Sequence, residues 1–275
     1  QNIFLKQDII NSNFFELTII GLITTGFIAH LLNFIIPLNN LTIYLNLIVG
    51  SFFIFFFKNK IKFNYHKKTK LFIILIFILS LLNLYGSGFS DDLNHYHGGS
   101  ITNTDNHNYI IGLNFLHHHY GYSSIWLTLH SYLNFNFSFL QDIHILNAII
   151  FFLIISYFIT EIISKFNNSK NYLAYPLLSI FIFFFLLKYT RLKEFGLDRP
   201  GILIYCFLVY FALKYKNILI TTNFKKKYLY FFIIFLTCLF ITSIKIFFLS
   251  CFLIPLFLIY SFKSYNFFFT KIACV

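Results

Sequence analysis

The stretch LFIILIFILSLLNLYGSGFSDDLNHYH, residues 71–97, decides the fold class. From Leu71 to Leu82 only Ser80 is polar. Two adjacent carboxylates, Asp91 and Asp92, then follow with His95 and His97. Such a run is either a buried core helix or a membrane span. The rest of the chain chooses between them: 58% of its residues are hydrophobic, 11% are charged, and 42 of 275 are Phe. A soluble domain could not hide that much apolar surface, so the solvent is lipid.

Working outward, eight apolar segments approach the roughly 20 residues that a span needs. They are about 16–36, 40–57, 71–87, 143–163, 172–188, 200–214, 228–244 and 246–262. The expected fold is an all-α, polytopic integral membrane protein. Residues 1–275 read as a single membrane domain. With no Met and a first residue Gln1, the chain reads as a fragment of a longer one or as a processed chain. No internal repeat is visible. Cys206, Cys238, Cys251 and Cys274 have no framework spacing, so neither a disulfide nor a cysteine metal site is expected.

The net charge of +12 would suggest nucleic acid in a soluble protein. Here lysines flanking spans account for it, and no nucleic-acid partner is expected. Lys58, Lys60, Lys62, Lys67, Lys68 and Lys70 put the loop 58–70 in the cytoplasm by the positive-inside rule. The loop 214–227, with Lys214, Lys216, Lys225, Lys226 and Lys227, follows it. Residues 88–142 then face outward. So does 188–200, KYTRLKEFGLDRP, although it carries Lys188, Arg191, Lys193 and Arg199. Two readings of those cations stand: snorkelling at the interface, or contact with a phosphate. Within the first outer loop, YSSIWLTLHSYLNF reads as a helix lying in the interface, with Trp126 and the tyrosines at headgroup level, or dipping partway into the membrane.

Ionisable groups at the mouth of a span are functional candidates. Asp91 and Asp92 could also be solvated or serve as a helix cap. If a helix begins at Asp92, Tyr96 lies one turn along the same face and His97 beside it, an acid/base-capable set. Eight of the ten histidines fall in 95–144, namely His95, His97, His107, His117, His118, His119, His130 and His144. Their H-x-H and HHH spacings do not match a helical zinc site, so no metal ligand is assigned. Lys245, between two apolar runs, either snorkels or pairs with an anion. Asp198 lies on the same outer side, just before Pro200 opens a span. No P-loop, GxSxG or dinucleotide fingerprint is present.

Four pieces in order, DLNHYH (92–97), GLNFLHHHYGYSSIW (112–126), GLDRP (196–200) and TSIKIFFLSCFLIP (242–255), resemble a bacterial family of uncharacterised multi-pass proteins. That family is itself similar to GT-C glycosyltransferases. The matching positions are Asp92, Tyr96 and His97, then Leu116, His117, Gly121, Tyr122, Ser123 and Ser124, then Asp198 and Pro200, and finally Lys245 and Pro255. The likeness spans roughly 14–262. The family's Gly-Arg after the first histidine is His118–His119 here, so its arginine either moves to Arg191 or Arg199 or has no counterpart.

The resemblance implies a GT-C-like fold that transfers a sugar from a polyprenyl-phosphate donor, on the outer face of a bacterial inner membrane, to a glycan or lipid acceptor. It implies Asp92, or Asp91, as general base, with Tyr96 and His97 orienting it. His117, His119, Arg191, Lys193, Asp198, Arg199 and Lys245 would contact substrate. No cofactor is assigned, and a divalent metal is admissible. Two other classes compete. A transporter or flippase of an anionic lipid or solute would carry ionisable residues inside its spans, and here Glu16 and Glu161 lie near span ends. A non-catalytic assembly subunit is the third.

Overall fold

The structure, a computed structural model, describes residues 13–57, 65, 67–84, 97–112, 115, 124–133, 139–166, 174–189, 196–220 and 224–261. Among them the regular structure is entirely helical: α1 Phe14–Asn33, α2 Asn40–Phe57, α3 Lys67–Leu84, α4 Gly98–Asn106, α5 Ile125–Tyr132, α6 Phe139–Phe166, α7 Ala174–Leu187, α8 Asp198–Ile220, α9 Phe224–Ile244 and α10 Leu253–Ser261. A 3-10 segment, Ile246–Phe252, precedes α10.

Three described stretches are long and apolar enough to cross a membrane: Phe14–Asn33, Ile145–Ser164 and Lys227–Ile244. Twenty helical residues rise roughly 30 Å, the depth of the hydrocarbon core. Shorter apolar helical stretches lie at Leu41–Phe52, Tyr175–Leu187 and Ile246–Tyr260. α2 exposes Leu41, Tyr44, Leu45, Leu47, Ile48 and Val49, which cover about half of its circumference, while Thr42 and Ile43 on the other side are buried. An apolar surface of that kind is compatible with lipid rather than water.

α6 is the central helix. In its spanning stretch 72% of the residues are buried, against 33% in α1 and in α9. It packs on α1, α3, α7 and α8, while α9 packs on α8 and α1. One contiguous core includes Ile19 and Ile23 of α1, Ile154 and Phe158 of α6, Phe207 and Phe211 of α8 and Phe240 of α9. α1 and α9 approach closely where Gly26 faces the Phe240 ring: a Cβ there would lie 2.4 Å from Cε2. Small residues permit such contacts in membrane bundles.

Two expectations need correction. α8 continues six residues past the expected 200–214 span, so Lys214 and Lys216 are helical rather than part of a loop. The segment around Trp126 is not a surface helix. Every residue of α5 is buried, Trp126 completely, and α5 packs against α1, α4 and α9. Two of its hydroxyls are paired with backbone: the Thr128 hydroxyl donates to the Ser124 carbonyl (3.3 Å) and the Ser131 hydroxyl to the Ile101 carbonyl (3.1 Å). The indole Nε1 donates to Asn147 Oδ1 at 3.3 Å. With those groups paired, burial costs little and the aromatic surface is stabilised in the core. Glu16 and Glu161 lie near the ends of their helical stretches, as expected, and there they are buried partners of Lys214.

Candidate functional site

Two polar clusters sit at opposite ends of the bundle. The first collects pieces far apart in sequence. Ser124 stands in extended backbone, caps α5 by accepting from Trp126 N–H (3.3 Å), and donates its hydroxyl to the Ile244 carbonyl at 3.0 Å. Ile244 is the last residue of α9. Lys245 after it is extended (φ −155°, ψ 126°), and the chain folds back through the 3-10 segment. Cys238 and Cys251 face each other across this hairpin, each Sγ 3.5 Å from the other's carbonyl oxygen. Lys245 therefore stands at the hairpin tip.

From the tip, Lys245 Nζ reaches Asp198 Oδ1 at 2.7 Å, in the first turn of α8. The adjacent contact is apolar and tight: a Cβ at Gly201 would lie 2.4 Å from the Phe248 ring. Leu197, just before α8, packs with Ile101 of α4 and Leu127 of α5. His97, immediately before α4, has helical backbone angles and is buried. The α4–α5 pair is joined by Ser131, whose hydroxyl also bonds Asp105. The same end holds His30 Nδ1, 3.3 Å from Thr128 Oγ1, and Asn33, whose amide donates to the Thr104 (3.4 Å) and His107 (3.3 Å) carbonyls.

The Lys245–Asp198 pair is half-exposed on both sides. Such pairs contribute about 0–1 kcal/mol. An arriving phosphate, with more charge and more acceptor oxygens than one carboxylate, could take the lysine from Asp198 at small cost. Arg199 stands beside Asp198 in the same turn. We expect Lys245→Ala to leave the melting temperature within a few degrees of wild type, and thermal unfolding in detergent checks this. A large loss of stability would make the lysine a structural tie.

Of the other expected site residues, Asp91, Asp92, Tyr96, His117, His119, Arg191 and Lys193 lie outside the described residues. Among the described residues, no three His, Cys, Asp or Glu side chains converge on a common point.

The second cluster was not foreseen. Glu16 of α1 and Glu161 of α6 converge on Lys214 of α8, with Nζ 2.5 Å from Glu16 Oε2 and 2.8 Å from Glu161 Oε1. Three tyrosines complete it. Tyr157 donates to Glu16 Oε2 (2.9 Å), Tyr215 to Glu16 Oε1 (2.5 Å) and Tyr210 to Glu161 Oε2 (3.0 Å). The ammonium also lies 5.3 and 5.2 Å from the Tyr157 and Tyr215 ring centres, within cation–π range. One turn away Asn13 caps α1 and donates to Thr160 Oγ1 at 2.5 Å, while the Tyr65 hydroxyl donates to Asn13 Oδ1 at 3.3 Å. Burial raises the Tyr65 hydroxyl above its ordinary pKa, so it remains a donor.

The chain belongs to the family described as a domain of unknown function (DUF8201), which matches residues 1–275. No curated protein and no solved structure is significantly similar to it.

Proposed function

We propose that the chain is a polytopic membrane glycosyltransferase of GT-C type, with about eight spans. In this reading it transfers a sugar from a polyprenyl-phosphate donor to a glycan or lipid acceptor on the extracytoplasmic face of a bacterial inner membrane. The observation that supports it is the gathering of His97, Ser124, Leu197–Asp198 and Ile244–Lys245 at one end of the bundle. These residues belong to the four sequence pieces that carry the resemblance.

The chemistry follows from the roles that the resemblance implies. The acceptor hydroxyl oxygen attacks the anomeric carbon of the donor sugar. Asp92 takes the hydroxyl proton, with Asp91 beside it and Tyr96 and His97 orienting it. The bond between the anomeric carbon and the phosphate oxygen breaks, and the electron pair leaves with the polyprenyl phosphate. Lys245 and Arg199, with Arg191 and Lys193 of the same outer loop, stabilise the charge on that phosphate. His117 and His119 contact the substrate. Asp198 holds Lys245 until the donor arrives.

The test is transfer itself: membranes containing the protein, incubated with radiolabelled polyprenyl-phosphate sugars, should yield labelled acceptor. Lys245→Ala should lower the rate by the 2–4 kcal/mol typical of losing one charge stabiliser, about 30-fold to 1000-fold. Sidedness is tested separately. In a background lacking the four native cysteines, Lys68→Cys should label only from the cytoplasm and Asn106→Cys only from outside. Both positions are exposed or terminal on their helices. Labelling from one common side would remove the basis for placing the acidic and basic loops together.

The buried Glu16–Lys214–Glu161 cluster is the observation that favours a transporter. Two features weigh against that use. Glu16 is the third residue of α1, far from the bilayer midplane. Each carboxylate and the lysine are engaged by other side chains of the cluster, which suits a tie between three helices.

A further inference from the structure

A groove of about 260 Å³ runs along the outside of the bundle between α8 and α10. Its walls are apolar: Val209, Ala212 and Leu213 on one side, Ile254 and Phe257 on the other. Leu213 and Phe257, at its rim, are each more than half exposed. Its single charged lining residue is Lys216. α8 and α10 run in the same direction, because the Lys245–Asp198 and Gly201–Phe248 contacts bring the start of the hairpin's return arm to the start of α8. Lys216 therefore marks the end of the groove away from Lys245, roughly 27 Å along α8 from Asp198.

Lys214 and Lys216 do different things although two residues apart. Successive alternate residues of a helix point about 200° apart. Lys214 turns inward to its two glutamates, while Lys216 is exposed and makes no ion pair with any described residue. An apolar slot ended by a cation matches an amphiphile with a hydrocarbon tail and an anionic head. Phe248 against Gly201 closes the seam between α8 and the return arm at the other end. A tail entering the groove must therefore have its head at Lys216, not at Lys245. This separates the groove from the donor site.

We propose that this groove binds an anionic phospholipid, with one acyl chain lying between α8 and α10 and the phosphate on Lys216. The lipid belongs to the leaflet at the lysine-rich end of the bundle, the cytoplasmic leaflet in the orientation argued above, where anionic lipids supply negative surface charge. The proposal rests on the chain being a membrane protein and not on sugar transfer, so the transfer assay can fail without touching it.

The test uses the full chain in detergent micelles, melted with increasing dioleoyl phosphatidylglycerol or dioleoyl phosphatidylcholine. Phosphatidylglycerol should stabilise at about fivefold lower concentration, the contribution of one surface lysine. Lys216→Gln should abolish that preference while keeping the lipid-free melting temperature. Leu213→Trp, at the exposed rim, should weaken both lipids, and Ala212→Trp should do so more strongly if it folds. Equal potency of the two lipids on the wild type would overturn the proposal, as would a preference that survives Lys216→Gln. If glycerol 3-phosphate reproduces the effect, the site is one for free phosphate. If Leu213→Trp instead halves the particle mass, the groove is an interface between two copies.

Discussion

Lys214→Met should be among the most destabilising single substitutions in the bundle, lowering the unfolding free energy by about 3–5 kcal/mol. The lysine lies between two carboxylates on two other helices, at 2.5 and 2.8 Å, and all three side chains are largely buried. Removing it leaves like charges facing each other in an apolar interior. The magnitude reflects that orphaned charge, not the net worth of the cluster, because desolvation offsets much of the attraction in any buried ion pair. The corollary distinguishes this account from simple loss of packing. Glu16→Gln and Glu161→Gln, added to Lys214→Met, keep acceptors for Tyr157, Tyr210 and Tyr215 and remove the repulsion. The triple variant should recover most of the loss. Thermal unfolding of the purified variants checks both steps. A Lys214→Met protein that melts with the wild type would mean the cluster does not hold the helices together. A triple variant as unstable as the single one would assign the loss to packing of the lysine stem.

The same cluster shows where the sequence stops being legible. Apolar runs announce helices in this chain, and α1, α2, α3, α7 and α9 fall within a few residues of the expected spans. α8 was cut short because Lys214 and Lys216 looked like loop charges. Only pairing with Glu16, 198 residues away, and Glu161, 53 residues away, lets Lys214 continue the helix inside the bundle. No local pattern encodes that. α5 was misplaced for the opposite reason. Its Ser, Thr and His residues suggested a wet face, but the Ser124, Thr128 and Ser131 hydroxyls bond to backbone carbonyls, so the helix is buried. Lys245 was legible only as a choice between snorkelling and an anion. The contact with Asp198 decides it, and the hairpin that creates the contact turns on an extended lysine without glycine or proline.

Asp92→Asn should lower sugar transfer by about 10²–10⁴-fold while leaving expression and lipid binding unchanged. The substitution keeps the size and one acceptor oxygen and removes the ability to take a proton. Asp91 and Asp92 are adjacent, and one base suffices for one hydroxyl. The Asp-Tyr-His spacing, with Tyr96 and His97 following, singles out Asp92, so Asp91→Asn should have a smaller effect. His97 supplies the structural link: it is buried at the start of α4, and α4 reaches Leu197, beside the Asp198–Lys245 pair, through Ile101. The readout is the rate of transfer from polyprenyl-phosphate sugar in membranes, alongside the melting temperature of each variant. Near-normal transfer by Asp92→Asn would rule out the carboxylate as base. Loss of folded protein would instead make the acidic pair structural, and the transporter and assembly-subunit readings would gain. Loss of transfer with an unchanged melting temperature, and with donor binding that still depends on Lys245, separates the base from the phosphate site on one face of the bundle.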